Sequence, residues 1–353
     1  MNTPDITIGT WTVGPSHPPF VIAEMSGNHN QSLERALAII DAIATTGAHA
    51  VKLQTYTADT MTLDIREREF VINDPKSLWH GRSLYDLYQE AHTPWDWHPT
   101  LFERARQHRL TCFSTPFDDT AVDFLETLDC PAYKIASFEN TDTPLIRKVA
   151  RTGKPIIVST GMATLADIDR AVTTIRAEGN EQIVLLKCTS TYPADPSDSN
   201  LLTIPHLRDA FDTHVGLSDH TLGIGVPIAA TALGATVIEK HFTLDRNDGG
   251  VDAAFSLEPH EMRMLVEESA RAHASLGDIR YGGSANEEGS KRFRRSLYVT
   301  QDLKAGEVLT RENVRAIRPG YGLGPAATDL VLGLHVTRDS PRGTALSWDL
   351  LRE

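Results

Sequence analysis

The chain has 353 residues, of which 41% are hydrophobic and 23% charged, and it carries a formal net charge of −13. This composition is ordinary for a globular protein, and the acidic balance excludes a broad cationic surface for nucleic acid. No segment reaches the length of a membrane span, and the N-terminus lacks a basic-then-apolar signal pattern. We therefore expect a cytoplasmic protein without nucleic-acid or membrane partners, whose three cysteines are buried thiols.

Eight short apolar segments follow one another along the chain, and most end in a polar or ionisable residue. They are FVIAEM (from Phe20), AVKLQTY (from Ala50), LTCFSTPF (from Leu110), AYKIAS (from Ala132), PIIVSTG (from Pro155), IVLLKCTS (from Ile183), HVGLSDH (from His214) and TVIEKHFT (from Thr236). Helix-like stretches separate most of them, the clearest being SLERALAIIDAIATTGA, with Gly47 as a candidate C-cap. This α/β alternation predicts a closed (β/α)₈ TIM barrel, whose chemistry lies at the carboxyl ends of the strands.

Three regions fall outside this repeat. Residues 1–19 contain several prolines and glycines and are expected to form a lead-in hairpin or cap. Residues 57–98 are a long, aromatic-rich insertion, which either shapes a substrate pocket or lid or packs as a surface excursion. We assign 1–275 to the barrel with its insertion, 276–293 to a polar, Gly-rich linker and 294–353 to a small β-rich domain.

Two histidines fall at the ends of neighbouring strands, His220 in the seventh and His241 in the eighth. Neighbouring strands lie about 4.8 Å apart, so the two imidazoles can share one metal ion. Neutral imidazole suits Mn²⁺, Fe²⁺, Co²⁺ or Zn²⁺, and no sulfur ligand accompanies the pair in the pattern. Glu239 shares a strand face with His241 and is a candidate ligand, hydrogen-bond acceptor or base. The alternative is that both histidines are hydrogen-bonded structural groups.

Lys52 and Lys134 lie within apolar strands, where a lysine is costly unless it is paired or faces a functional cavity. Gln54 shares a face with Lys52. Hydroxyl groups at consecutive strand ends complete a ring of donors suited to phosphate or carboxylate, although single serines are more often turn groups. These hydroxyls belong to Thr115, Ser137, Ser159, Ser190 and Ser218. Glu24, at the end of the first strand, is placed to accept hydrogen bonds from sugar hydroxyls or to exchange a proton. Asp252 is a similar candidate.

The segments VIAEMSGNHN, VKLQTY, FSTPFD, AYKIAS, IVSTGM, LLKCTSTYP, GLSDHT and EKHFTLDR together resemble the sialic-acid synthase family. The stretch DLKAGEVLTRENVRAIRPGYG resembles the antifreeze-like (SAF) domain that follows the barrel in that family. AEMSGNHN, FRRSLY and CTSTYP, which places a serine at position 190, are similar to the pseudaminic acid branch. The resemblance implies an enzyme that condenses phosphoenolpyruvate with 2,4-diacetamido-2,4,6-trideoxy-L-altrose, giving pseudaminic acid and phosphate.

The resemblance also implies a role for each site residue. A divalent ion, first Mn²⁺ and alternatively Mg²⁺ or Co²⁺, lies on His220 and His241. The two lysines and the set of hydroxyl groups bind the phosphate and carboxylate of phosphoenolpyruvate, and Tyr192 lines the site. Four further side chains position the sugar, orient a water or relay protons: Glu24, Gln54, Glu239 and Asp252. Arg318 of the small domain enters the active site of a partner subunit, so the family resemblance implies a domain-swapped homodimer.

Other functions stay open at this point. Within the family, the alternatives are an N-acetylneuraminate synthase and a legionaminic acid synthase. A metal-dependent pyruvate aldolase is more remote, because the ring of anion-binding groups argues against it. A sugar- or ice-binding module is suggested by the C-terminal domain alone.

Overall fold

The computed structural model describes residues 3–353 and contains a closed barrel of eight parallel strands. A short antiparallel hairpin, β1 (Ile6–Ile8) and β2 (Trp11–Val13), precedes the barrel. The barrel strands are β3 (Phe20–Glu24), β4 (Ala50–Thr55), β5 (Thr111–Pro116), β6 (Tyr133–Ile135), β7 (Ile156–Ser159), β8 (Ile183–Cys188), β9 (His214–Asp219) and β10 (Val237–His241). Each pairs with its sequence neighbour, and β10 pairs with β3 to close the ring. The predicted TIM-barrel fold is therefore confirmed.

Helices follow the strands and cover the outside of the barrel. They are α1 (Leu33–Ala44), α2 (Ala58–Met61), α3 (Leu84–Ala91), α4 (His98–Gln107), α5 (Asp119–Glu126), α6 (Thr143–Ala150), α7 (Leu165–Ala177), α8 (Thr203–Phe211), α9 (Gly225–Ala232) and α10 (Pro259–Leu276). Both α2 and α3 belong to the insertion between β4 and β5, where Val71 and Ser83 also form an antiparallel bridge. Within residues 3–353, no helix is both long and apolar enough to cross a membrane.

Helix α1 illustrates why these segments are helical. Ile39, Ile40 and Ile43 recur at helical spacing and are fully buried in the main core. Burying each of these side chains contributes roughly 1.5–3 kcal/mol. The hydroxyl of Ser32 caps the first turn by accepting the backbone N–H of Arg35 at 3.2 Å. The chain leaves the helix before the predicted Gly47, whose φ of +84° favours glycine.

The parallel register brings the polar strand ends to one level. Glu24 of β3 is paired with Lys52 of β4 on one side and with His241 of β10 on the other. Glu239 of β10 is paired with Ser218 of β9. Because carboxyl ends of parallel strands meet at one face of a barrel, these side chains converge on a single mouth.

The chain divides into two compact units, of which the second spans Asp278–Glu353. This unit begins with a 3₁₀ helix, Ala285–Phe293, in the stretch that was expected to be a linker. Its regular elements are β11 (Ser296–Val299), β12 (Val314–Ile317), α11 (Thr328–Val331), β13 (His335–Val336) and β14 (Leu351–Arg352). The strands form two small antiparallel sheets, β11 with β12 and β13 with β14, around a core of their own that includes Leu297, Leu309 and Leu346.

Candidate active site

A cavity of about 400 Å³ opens at the carboxyl ends of the barrel strands. That volume is within the range of small-molecule sites. It brings together most of the side chains that the sequence singled out: Glu24, Lys52, Gln54, Thr115, Lys134, Ser137, Ser159, Tyr192, Ser218, His220, Glu239, His241 and Asp252. Residues from all eight strands or the loops after them therefore meet at one place.

Two of the predicted site residues do not line this cavity. Ser190 lies in the segment after β8, with its Oγ 3.7 Å from the Sγ of Cys188. A Cβ added at Gly161 would stand only 2.1 Å from the same Oγ, so the backbone passes very close to Ser190. Arg318 belongs to the second unit, where it directly follows β12.

The two lysines of the cavity are paired with carboxylates. Lys52 Nζ lies 3.0 Å from Glu24 Oε2 and 2.9 Å from Glu239 Oε2. Lys134 Nζ lies 3.4 Å from Glu239 Oε1, and all four side chains are almost fully buried. The four charges compensate one another, and both lysines are paired as well as facing the cavity. An incoming anion must therefore compete with Glu24 and Glu239 for them.

The network also sets the protonation of its members. Burial alone would raise the pKa of Glu24, but Lys52 and His241 hold it well below its usual range. Burial alone would lower the pKa of Lys52, but Glu239 and Glu24 raise it. For Lys134 burial prevails, and its pKa falls below the usual value despite Glu239. Lys52 is thus the fixed charge of the site, and Lys134 gives up its proton more readily.

The predicted metal ligands stand side by side. The ring centroids of His220 and His241 are 5.3 Å apart. Glu24 Oε2 lies 3.3 Å from His241 Nε2, and Asp252 Oδ2 lies 3.8 Å from His241 Nδ1. His220 Nδ1 is 2.9 Å from the carbonyl oxygen of Thr189, which leaves Nε2 for a ligand. Within residues 3–353, the buried His241 Nδ1 has no hydrogen-bond partner. This mixed nitrogen and oxygen donor set fits a divalent ion.

A thiol lies beside this pair, although the sequence pattern placed no sulfur there. Cys188 Sγ is 3.9 Å from His220 Nδ1, on the ring edge that already faces Thr189. Cys188 ends β8 and is paired with Ser218 of β9, so the strand register explains its position. The expectation for the cysteines holds, because Cys112, Cys130 and Cys188 are all free and buried.

Among the described residues, one group of three side chains has ligand atoms close enough together for a metal ion, and this group lies at the start of α10. Ligand atoms of Glu258, His260 and Glu261 all lie within 4.8 Å of one another. Arg246 already contacts both carboxylates of this group, with its Nη1 2.5 Å from Glu261 Oε2. These residues do not line the cavity, and their charge is largely compensated.

Comparison with known proteins identifies the family. The model of the NeuB family matches residues 39–281, and the model of the SAF domain matches residues 294–352. The chain belongs to the NeuB family. This confirms the resemblance on which the sequence analysis relied, including the nature of the C-terminal domain.

Relatives within the NeuB family align over almost the whole chain. The pseudaminic acid synthase of Campylobacter jejuni is 43% identical over 327 residues, which cover 93% of this chain and 95% of that protein. The pseudaminic acid synthase of Helicobacter pylori is 44% identical over 333 residues, covering 94% and 97%. A crystal structure of the N-acetylneuraminic acid (sialic acid) synthetase of Leptospira borgpetersenii is 32% identical, with a TM-score of 0.73 over 82% of this chain and 95% of that one.

The NeuB-family cavity also contains residues that the sequence analysis missed. Glu139 lies in the 3₁₀ turn Ser137–Glu139 after β6, and burial raises its pKa to about 7. The sequence feature that could have pointed to Glu139 is its position two residues after Ser137, a predicted site residue. Ser26, two residues after Glu24, donates its hydroxyl to the Asp252 carboxylate and so joins the loops after β3 and β10. The insertion contributes several of the residues that line the cavity, among them Trp79 and Tyr88.

Proposed function

We propose that this NeuB-family enzyme is a pseudaminic acid synthase. It condenses phosphoenolpyruvate with 2,4-diacetamido-2,4,6-trideoxy-L-altrose and water to give pseudaminic acid and phosphate. The observation that carries this proposal is the identity of 43% and 44% with two proteins named pseudaminic acid synthase, over more than nine tenths of the chain. The N-acetylneuraminic acid synthetase of known structure is more distant, at 32%.

The reaction joins carbon 3 of phosphoenolpyruvate to carbon 1 of the open-chain aldose. Water then adds to carbon 2, and the C–O bond to phosphate breaks, so that phosphate leaves with the bond pair. The phosphate and carboxylate are bound by Lys52, Lys134 and the hydroxyl groups of Thr115, Ser137, Ser159 and Ser218. Ser190 does not line the cavity, but its hydroxyl lies 3.7 Å from the thiol of Cys188, which does, so we keep Ser190 in this set. Support comes from Thr115 Oγ1 and Ser159 Oγ, which are buried without a hydrogen-bond partner in residues 3–353. Hydrogen-bond donors that are already in position in a water-excluding site usually make the largest single contribution to an enzyme's rate enhancement.

Four further side chains position the sugar and its protons. Glu24 Oε1 accepts a hydrogen bond from the side-chain amide of Gln54 at 2.9 Å. The other carboxylate oxygen, Oε2, is the one that contacts Lys52 and His241. Glu239 accepts the Ser218 hydroxyl at 3.0 Å and contacts both lysines, so it fixes their head groups. We assign the sugar hydroxyls and the attacking water to Glu24, Gln54, Glu239 and Asp252, with Tyr192 as the wall beside His220.

We assign a divalent ion, first Mn²⁺ and alternatively Mg²⁺ or Co²⁺, to His220 and His241, with Glu24 and Asp252 next to it. When bound there, such an ion would polarise the aldehyde oxygen as a Lewis acid. Chelation is expected to abolish phosphate release, and added Mn²⁺ to restore it. Titration calorimetry should detect Mn²⁺ binding to the wild type and not to His220→Ala. Full activity in an extensively chelated sample would contradict the assignment.

We also propose a domain-swapped homodimer in which Arg318 of the partner subunit completes the site. Large apolar side chains on the loops after β6 to β9 and at the start of α7 support a covering chain: Phe138, Met162, Leu165, Leu202 and Leu222, each more than half exposed. Such a set around one mouth differs from the scattered single hydrophobic residues of ordinary surfaces. We place the enzyme in the cytoplasm, because three free buried cysteines suit a reducing compartment.

The experiment that tests the function is a phosphate-release assay with three aldoses offered one at a time. They are 2,4-diacetamido-2,4,6-trideoxy-L-altrose, the corresponding precursor of legionaminic acid, and N-acetylmannosamine. We expect the first to give the highest kcat/KM, and the His241→Ala variant to release no phosphate with any of them. Condensation of free pyruvate without phosphate release would instead indicate an aldolase.

A further inference from the structure

We propose that the insertion, residues 57–98, selects the sugar by its far end. It forms an uncharged wall that favours aldoses whose carbon 6 carries no hydroxyl. This inference rests on the proposed function for the orientation of the sugar, with its aldehyde at His220 and His241. The insertion would thus determine substrate specificity although it contributes no residue to the reaction centre.

The residues that line the cavity fall into two chemically different groups. Every charged side chain that lines it comes from a barrel strand or the segment directly after one, as Lys52, Lys134 and Glu239 illustrate. All residues of the insertion lie within the described part of the chain, and those that line the cavity are uncharged. The large ones are Met61, Ile72, Trp79, Leu84, Leu87 and Tyr88. The cavity therefore suits a ligand that is anionic or hydroxylated at one end and apolar at the other.

This separation is notable because the insertion itself is rich in charge. Residues 57–98 contain twelve Asp, Glu, Lys and Arg residues, and none of them lines the cavity. Several pair with each other outside it: Arg66 contacts Asp64 at 2.9 Å and Asp86 at 3.0 Å. The charged side chains thus face away, and the apolar ones face the ligand.

Trp79 shows where this wall lies relative to the two histidines. The centroid of its ring lies 5.8 Å from that of Tyr192, which in turn lies 4.5 Å from that of His220. The indole is therefore one ring further out than the side chain next to the metal ligands. Its Nε1–H donates to the carbonyl oxygen of Val251 at 3.2 Å, so this donor is not available to a sugar hydroxyl.

A hydroxyl buried against Met61, Ile72 and Leu87 of this wall loses its water and gains no hydrogen-bond partner. An apolar pocket discriminates against one added hydroxyl by at most about 100-fold in kcat/KM. We therefore expect the wild-type enzyme to prefer a 6-deoxy aldose over its 6-hydroxy counterpart by roughly 10- to 100-fold.

The test measures kcat/KM for two matched pairs of aldoses. The first pair is 2,4-diacetamido-2,4,6-trideoxy-L-altrose and its 6-hydroxy counterpart. The second pair is 2-acetamido-2,6-dideoxymannose and N-acetylmannosamine. If only the second pair is turned over, the proposed pseudaminic acid function fails, while the 6-deoxy preference is still measured on that pair. A ratio near one on the pair that is turned over, or no turnover of either pair, overturns the inference.

Variants then locate the preference in the wall. Met61→Gln and Ile72→Asn each offer a hydrogen-bond partner, so the 6-deoxy to 6-hydroxy ratio should fall at least about fivefold. Met61→Leu keeps the wall apolar and should keep the ratio. Leu78→Asn changes an exposed insertion residue that does not line the cavity and is the second control. If Met61→Gln and Ile72→Asn lower kcat/KM equally for both sugars, the wall does not discriminate between sugars with and without a hydroxyl at carbon 6.

Discussion

Lys52 joins the first and last strands of the barrel at the level of individual side chains. Its ammonium contacts Glu24 of β3 and Glu239 of β10, although β4 is paired only with β3 and β5. The contact with Glu239 therefore crosses the interior of the barrel. A charge pair of this kind contributes little net stability, but its disruption leaves buried charges uncompensated.

We expect Lys52→Met to lower the free energy of unfolding by about 3–5 kcal/mol, because Glu24 and Glu239 would remain buried without their cation. The measurement is urea unfolding at neutral pH. The double variant Lys52→Met/Glu24→Gln should recover part of the loss, since one uncompensated charge is removed. Equal stability of Lys52→Met and the wild type would mean that the network is not coupled as described.

Glu139 gives a pH prediction that is independent of the metal ligands. Burial raises its pKa from the ordinary value of 4.5 to about 7, so the folded protein holds this proton more tightly than the unfolded chain. Its contribution to stability is therefore present below pH 4.5 and is lost as the pH rises to about 7. Glu139→Gln should equal the wild type near pH 4.5 and exceed it at pH 8 by on the order of 3 kcal/mol.

Urea unfolding of both proteins across this pH range checks the prediction. Glu34→Gln, at an exposed position of α1, serves as the matched control and should follow the wild type. A stability difference between Glu139→Gln and the wild type that does not change with pH would contradict the account.

At the scale of elements, a buried ion pair fixes the loop that carries His220. Lys240 Nζ of β10 contacts Asp219 Oδ2 at 2.7 Å and the carbonyl oxygen of Gly223 at 3.0 Å, and it also donates to the carbonyl of Thr221. Lys240 and Asp219 each directly precede one of the two histidines. The ion pair thus holds the loop after β9 against β10, so that His220 stands beside His241.

We expect Lys240→Met to weaken Mn²⁺ binding by about 10- to 100-fold, as is usual when a group that orients metal ligands is lost. The readouts are the Mn²⁺ dissociation constant and the pattern of kcat against Mn²⁺ concentration. Lys154→Met removes a lysine that pairs with Glu126 and lies apart from the cavity, and it should keep the wild-type affinity. Lost stability with unchanged Mn²⁺ affinity would mean that Lys240 is structural only.

The sequence predicts the elements much better than the contacts between them. Each apolar segment became a strand because its length and pattern are local properties, as with FVIAEM and β3. The pairing of Lys52 with Glu239, and the thiol of Cys188 beside His220, depend on strand register and on packing across the barrel. The side chains of 57–98 that face the cavity were likewise not predictable, because that segment has no long periodic element.

For the molecule as a whole, we propose an active site that includes one residue of a second chain. Arg318 directly follows β12 in the second unit, and it is assigned to the active site of a partner subunit. We expect inactive Arg318→Ala subunits mixed with inactive His241→Ala subunits to regain activity, because some mixed dimers contain one intact site. About one quarter of wild-type activity is the upper bound for statistical mixing of equal amounts. The absence of any regained activity would count against a shared site.

The most direct measurement of the central claim is a competition between two aldoses in one reaction. Equal amounts of 2,4-diacetamido-2,4,6-trideoxy-L-altrose and N-acetylmannosamine are offered with limiting phosphoenolpyruvate and Mn²⁺, and the products are identified by mass spectrometry. We expect pseudaminic acid as the main product, with one phosphate released for each molecule formed. N-acetylneuraminate as the main product would contradict it.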